Sequence, residues 1–293
     1  MSTPVNTPAN TPASSVVIAA HDEAGRIGGT LRALLADARP AEFEVVVVAN
    51  GCTDETASVA RSVPGVTVLE LETASKPAAL NAGDAVATRF PRLYLDADVL
   101  LSTSDARAVL AQVGTPGDGR PAALAAAPRR VLDTTGRPLL VRAYYAINGR
   151  LPAFRGALFG RGAIAVSAQG RRRFDVFPQV VADDLYLDSL FLPGEKREVL
   201  ASRAVVATPR RTRDLLRRLG RVRAGNAMLR TTGQNVAPSR RGSWLATVVL
   251  RRPWLLPAGA CYAALSVLAE LSARRPATRN GWGRDESSRW AGP

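Results

Sequence analysis

The stretch Val16-Val17-Ile18-Ala19-Ala20-His21-Asp22-Glu23-Ala24-Gly25 decides the fold class. Five apolar residues, β-branched at the start, read as a short buried strand, and the polar cluster after them reads as its turn. From Arg26 to Ala38 the period changes, and Ile27, Leu31, Leu34 and Leu35 fall on one helical face. The alternation then repeats. Phe43 to Val48 is a second buried run, followed by the loop Asn50-Gly51-Cys52-Thr53-Asp54, where Thr53 is the expected cap of the next helix. Val66 to Leu71 is a third strand, Lys76 to Thr88 a helix, and Arg92 to Leu95 a fourth strand ending on Asp96. Strands alternating with helices predict an α/β, Rossmann-like fold with a mostly parallel sheet flanked by helices. Ligands of such sheets gather at the carboxyl ends of the strands. Three polar clusters fall there: Asp22-Glu23, Asn50, and Asp96-Ala97-Asp98.

Downstream the pattern loosens. Gly114 to Pro121 reads as a loop, Ala122 to Ala127 as a strand, and Val141 to Asn148 as a helix or strand. A strand over Phe159 to Val166 opens on Gly160-Arg161-Gly162, and a helix is expected from Asp183 to Phe191. Glu198 to Ala207 is a further strand, and Asp214 to Arg230 an arginine-laden helix. Trp254 to Leu271 is almost uncharged, with Arg251, Arg252, Arg274 and Arg275 around it. Pro257 interrupts it, and the remainder is too short to cross a hydrocarbon core of about 30 Å. Two readings stay open: a core helix, or an interfacial helix held to anionic lipid by its arginines. The expected division is a disordered leader over 1–14, the α/β domain over 15–235, and a basic, C-terminal helical extension over 236–293. The leader is rich in Pro, Thr, Asn and Ser and lacks the basic and apolar regions of a signal peptide.

The net charge is +14, and positive charge accumulates after Arg171. Nucleic acid, an anionic membrane face and phosphorylated substrates all suit such a chain. No stacking aromatics or reading helix accompany the charge, so no nucleic-acid partner is expected. Cys52 and Cys261 are too few and too far apart for a disulfide framework or a zinc site. A cytoplasmic location follows, with peripheral contact at the inner membrane face as its variant. Neither a Gly-x-Gly-x-x-Gly after the first strand nor a Walker A motif is present, which argues against a dinucleotide or P-loop enzyme.

Asp96-Ala97-Asp98 sets two carboxylates between the apolar runs Leu93-Tyr94-Leu95 and Val99-Leu100-Leu101. Charges wedged there need a partner. Magnesium or manganese takes one or two carboxylates plus substrate phosphates, and a solvated turn is the alternative. Asp183-Asp184 before a helix reads either as a pair favoured by the helix dipole or as a source of a general base for a hydroxyl. Lys76 and Lys196 are the only lysines. Lys76 stands at a helix start with Pro77 in the first turn, where phosphate is attracted; a plain surface lysine is the alternative. His21, the only histidine, lines a pocket or fills a loop.

From about Val16 to about Asn226 the chain resembles the family 2 glycosyltransferases with a GT-A fold. Ala20-His21-Asp22-Glu23-Ala24 is similar to the family's opening Pro-x-x-Asn-Glu. Val48 to Thr56 is similar to its Asp-Asp-Gly-Ser-x-Asp-x-Thr loop, and Lys76 to Gly83 to its Lys-x-x-Ala-Leu-Asn-x-Gly helix. Asp96-Ala97-Asp98 falls at its Asp-x-Asp, Phe159 to Val166 at its Gly-x-x-x-Ala strand, and Ala182-Asp183-Asp184 at its Glu-Asp motif. The resemblance implies inverting, single-displacement transfer from a nucleotide-sugar donor with a divalent metal. Asp184 would be the base, Asp98 the main metal ligand and Asp96 a metal or ribose neighbour. His21, Glu23, Asn50 and Lys76 would serve the donor. Gly160, Arg161, Gly162, Asp183, Arg218 and Arg221 would lie on the acceptor or phosphate side. The acceptor would carry a hydroxyl, on a lipid-linked molecule or a small metabolite.

Two departures matter. Ala49-Asn50 replaces the family's acidic pair, and an asparagine both donates and accepts, which opens the donor to nucleotides other than uridine. Arg218-Leu219-Gly220-Arg221-Val222 lacks the glutamine and tryptophan of the processive members' Gln-x-x-Arg-Trp, so a non-processive enzyme is expected. Two other classes compete. A magnesium-dependent nucleotidyltransferase would need a basic glycine-rich loop after the first strand, where only Arg26 stands. The other is a charge-driven membrane- or nucleic-acid-binding protein without catalysis.

Overall fold

The computed structural model describes residues 13–114, 122–180, 182–231 and 244–273. The expected leader up to residue 12, and the loop after Gly114 up to Pro121, lie outside the described residues.

β1 (Ser14–Ala20) is the middle of the parallel half of the sheet, with β2 (Phe43–Asn50) on one side and β4 (Arg92–Asp96) on the other. β3 (Val66–Leu71) continues the parallel set beyond β2. Val16, Val17 and Ile18 are wholly buried, so β1 faces apolar matter on both sides. Val16 and Ile18 meet Ile27, Leu31 and Leu34 of α1 (Ala24–Leu35), while Val17 meets Leu80 of α3 (Lys76–Val86). Two-sided burial of this kind is why the strand reads as an unbroken apolar run. Gly83 lets α3 lie close, since a Cβ there would sit 2.5 Å from Val17 Cγ1. Ser15 is a buried polar residue of β1 and is satisfied inside: its Oγ donates to Glu44 and accepts from the Arg89 amide at 2.8 Å. α2 (Thr56–Arg61) follows the second loop, and its cap differs from expectation. Thr53 bonds to Asp22, and Asp54 Oδ1 accepts the Thr56 amide at 3.0 Å.

The other half of the sheet is mixed. β6 (Ala125–Asp133) starts three residues later than the expected strand and runs longer. β7 (Ala163–Val166) lies antiparallel between β4 and β6, and β8 (Lys196–Ala207) runs parallel to β6. β7 is shorter than the expected Phe159–Val166 because Gly160 and Gly162 have φ of +72° and +66°, outside the strand region. β5 (Val99–Leu100) follows β4 by two residues, yet it pairs antiparallel with β8 at the far edge of the eight-stranded sheet. The sheet therefore curls, bringing its far edge back beside the end of β4. α4 (Thr103–Leu110) backs β8, whose bulge it holds through Asp105 Oδ1 and the Arg203 amide at 2.8 Å. α6 (Ala168–Arg171) and α7 (Asp183–Ser189) follow β7.

The remaining helices share a separate small core. Val141, Tyr144 and Tyr145 of α5 (Leu139–Asn148) pack with Leu215 and Leu219 of α8 (Thr212–Thr231) and Leu265 and Ala269 of α9 (Leu256–Ala273). α9 corrects one expectation. Pro257 stands in its first turn, where proline is tolerated, so it opens the helix instead of interrupting it. The apolar stretch then runs from Pro253 to Ser272, 20 residues, long enough by length and composition to cross a membrane.

Candidate active site

Loops after β1 and β2 interlock at the carboxyl edge. Asp22 Oδ1 accepts the Thr53 amide at 2.6 Å, Asp54 Oδ2 accepts the Ala24 amide at 3.1 Å, and the Glu23 amide donates to Thr56 Oγ1 at 2.7 Å. Between them lies a pocket of about 210 Å³ lined by Asp22, Glu23, Gly25, Arg26, Thr53 and Asp54. Asn50 does not reach it. Its side chain is completely buried; Nδ2 donates to the Ala20 carbonyl at 2.7 Å and Oδ1 accepts the Ser75 amide at 3.0 Å. The expectation that Asn50 faces the nucleoside is corrected: it ties the end of β1 to the start of α3. His21 is buried, and its ligand atoms lie within 4.8 Å of those of Asp22 and Cys52, a grouping invisible in the sequence spacing. The Cys52 thiol is pushed up by burial and sits between the Ala20 carbonyl at 3.6 Å and the Asp22 amide at 3.4 Å, the contacts of a packed turn.

Lys76 is the hub of the next region. Ser75 caps α3 by accepting the Ala78 amide, which fixes where the lysine starts. Lys76 Nζ lies 2.7 Å from Asp96 Oδ1 at the end of β4 and 3.0 Å from Asp183 Oδ2 at the start of α7. Burial disfavours the ammonium, but the carboxylates of Asp183 and Asp96 outweigh it and raise its pKa. Burial pushes Asp183 up, and the neighbouring Asp184 and Asp96 add to this against the pull of Lys76. Asp98 is held more loosely, its Oδ2 3.7 Å from Arg26 Nη1.

The Gly160-Arg161-Gly162 turn joins the two acidic elements. The Gly162 carbonyl accepts the Asp96 amide at 2.8 Å, and the Gly160 amide donates to Asp184 Oδ2 at 2.7 Å. A Cβ at residue 162 would lie 2.9 Å from Asp96 Oδ2 and 2.4 Å from Val99 Cγ2. Asp184 Oδ1 accepts the Leu185 amide at 2.7 Å. Each carboxylate oxygen keeps a second lone pair for a substrate hydroxyl.

Arg161 corrects another expectation. It is 2% exposed and donates to the carbonyls of Ala157, Pro128 and Phe154 and to Glu198, so it braces the turn from inside. The cation that does face this side is Arg130, which sequence reasoning missed. Its guanidinium lies 3.8 Å from the Phe154 ring centroid, bonds to Asn148 Oδ1 at 3.2 Å, and comes within 3.5 Å of the point where a Gly160 Cβ would be. Burial, then the nearby charges of Arg161 and Arg218, push it down to about 10. Among the described residues no carboxylate lies within ion-pair distance of it. Arg218 donates to the Ala207 carbonyl at 3.3 Å, and Arg221 stands one turn further along α8. A half-buried cation beside Phe154, past the end of the strand expected from the sequence, carried no sequence signal.

Residues 15–148, from β1 through α5, match the family model described as Glycosyl transferase family 2. No curated protein matches the chain. Its fold is similar to that of the mannosyltransferase PcManGT from Pyrobaculum calidifontis, described in complex with GDP-Man and Mn2+, at 23% identity and a TM-score of 0.57, covering 93% of this chain and 83% of that one. It is also similar to glucosyl-3-phosphoglycerate synthase from Mycobacterium tuberculosis, described with Mn2+, UDP and glucosyl-3-phosphoglycerate, at 18% identity and a TM-score of 0.54, covering 78% and 82%. A third is S. aureus TarS 1-349 in complex with UDP-GlcNAc, at 15% identity and 0.51, covering 89% and 91%. At these identities the likeness establishes the GT-A fold.

The segment matched by the family model contains both members of the acid pair expected to hold a metal. Asp96 and Asp98 have side chains 38% and 42% exposed at the open strand edge, and each pairs with a side-chain cation, Lys76 and Arg26 respectively. Two hard oxygen donors with room for phosphate oxygens fit magnesium or manganese.

Proposed function

We propose that this protein transfers a sugar, with inversion and one residue at a time, from a nucleoside-diphosphate sugar to an acceptor hydroxyl. The observation that carries this reading is the Lys76 hub, which draws Asp96 and the Asp183-Asp184 pair together from strand, helix and loop. A divalent cation held by Asp98 and Asp96 would neutralise the leaving diphosphate. The pocket beside Glu23 and Arg26 would take the nucleoside, and Lys76 would hold the charge of Asp96 and Asp183 in place as the donor binds. Asp184 would accept the acceptor's hydroxyl proton as the oxygen bonds to the anomeric carbon and the bond to the diphosphate breaks. Two acids with separate duties suit a single displacement, because base and leaving group stand on opposite sides of the sugar.

Arg130 sharpens the acceptor. A half-buried guanidinium beside Gly160, reinforced by Arg218, favours an acceptor with a phosphate or carboxylate near its hydroxyl. The relative described with glucosyl-3-phosphoglycerate indicates that the fold accommodates such a molecule. The test is a panel of nucleotide sugars with manganese, read by thermal shift and by release of nucleoside diphosphate. One donor should stabilise the protein only with metal, and Asp98→Ala should abolish its turnover. Metal-independent binding with no turnover of any donor would sink the reading, and pyrophosphate release from a nucleoside triphosphate would replace it with nucleotidyl transfer.

A further inference from the structure

We propose that the outward face of α9 docks the protein on the surface of an anionic lipid bilayer. α9 packs on α5 and α8 through Cys261, Tyr262, Leu265 and Ala269, spaced as one helical face. The opposite face carries Leu256, Ala260, Ala264, Val267, Leu268 and Leu271, all exposed and all apolar. A helix lying on a globular protein ordinarily turns a polar face outward, and one that is apolar all round is ordinarily enclosed. Here only 17% of the Pro253–Ser272 stretch is buried. The patch extends beyond the helix, since Trp254 at its start is 74% exposed and Leu250 68%. Indole at the boundary of an apolar face suits the headgroup level of a bilayer.

Charge selects the partner. Between residues 208 and 275 the sequence carries fourteen arginines and two acids, which accounts for nearly all of the chain's +14. Arg251 and Arg252 immediately precede the Pro253–Ser272 stretch, and Arg213 and Arg217 of the neighbouring α8 have side chains 63% exposed. Guanidinium groups bordering an apolar stripe match lipid phosphates bordering acyl chains. The helix is long enough to span, but its inner face is engaged. Tyr262 stacks on Tyr144 of α5 at 4.9 Å between centroids, and Glu270 pairs with Arg223 of α8 at 3.7 Å. A spanning helix would leave those contacts; one lying in the interface keeps them.

The test uses the full chain and co-sedimentation with phosphatidylcholine vesicles, with and without phosphatidylglycerol. The protein should sediment with the anionic vesicles, and high salt should release it. Leu268→Asp together with Leu271→Asp should weaken binding at least tenfold, and so should Arg251→Glu with Arg252→Glu. Arg251, Leu268 and Leu271 are exposed and Arg252 is half-buried; unchanged melting temperature and donor turnover in solution would show the variants folded. Equal binding to both vesicle types, failure to bind either, or wild-type binding by the Leu268→Asp, Leu271→Asp variant would each overturn the proposal. So would a sedimentation-equilibrium dimer dissociated by that variant, because the face would then belong to a second copy.

Discussion

The two ends of α3 hold two ion clusters of opposite character. At the C-terminal end, Asp84 is buried and receives Arg92, Arg171 and the Tyr94 hydroxyl, the last at 2.6 Å. At the N-terminal end, Lys76 faces Asp96 and Asp183, with Asp184 adjoining. Both clusters tie α3 to β4 and to the segment after β7. The first is closed, with two guanidiniums around one carboxylate. The second lies at the sheet's open edge, with one ammonium among three carboxylates. An acid excess at the mouth of a sheet is tolerable only where further positive charge can arrive, whereas a closed cluster with satisfied partners serves the fold.

Asp184→Asn should break the open cluster's function with the largest effect. Turnover is expected to fall about 10²–10⁴-fold, the usual contribution of a positioned general base, with the melting temperature close to wild type. Asp84→Ala should do the reverse. Leaving Arg92 buried without its acid should destabilise by about 3–5 kcal/mol in denaturant titration, while the fraction that remains folded keeps its kcat. If Asp84→Ala lowered kcat with stability intact, the contrast between the two ends would fail.

Arg130→Ala sharpens the acceptor side of the same comparison. Loss of a charge-assisted bond of about 1.5–3 kcal/mol should raise the acceptor KM roughly ten- to a hundredfold, and an uncharged acceptor analogue should show no such rise. The smallest effect belongs to Glu42, a structural acid away from both clusters. Hydrogen bonds from Arg107, opposed by burial and aided by Arg39, hold it at about 2 against an ordinary 4.5. Its contribution is complete above pH 4.5 and is lost as pH falls from there toward 2. Glu42→Gln should flatten that part of the stability-pH curve by about 1 kcal/mol, the scale of a partly exposed pair.

The sequence made the parallel half of the molecule readable because its strands are buried on both faces. Apolar runs, helical spacing and strand-end acids coincide there, so Asp96 and Lys76 could be placed by position alone. Side-chain direction was not readable. Asn50 looked like a ligand residue because it ends a strand, but the start of α3 closes over it and takes its amide. Arg161, between two glycines, has the look of a phosphate loop and instead points into the protein toward three carbonyls. Arg130 was missed for the converse reason: β6 pairs irregularly with β8, shifting register after Pro128, so period gave no sign of which face the arginine occupies. Pro257 was read by its habit in mid-helix, when its place in the first turn depended on where the chain before it bent.

Gly162 has a consequence for how the site tolerates change. The hydrogen at its Cα occupies space that a methyl would contest with the Asp96 carboxylate and with Val99. Positions 96 and 162 are therefore not independent sites for substitution, although 66 residues separate them in the chain. Any chain of this shape that gains bulk at 162 must shorten or rotate the acid at 96. The geometry of the carboxylate end is set as much by the missing carbon as by the oxygens that line it.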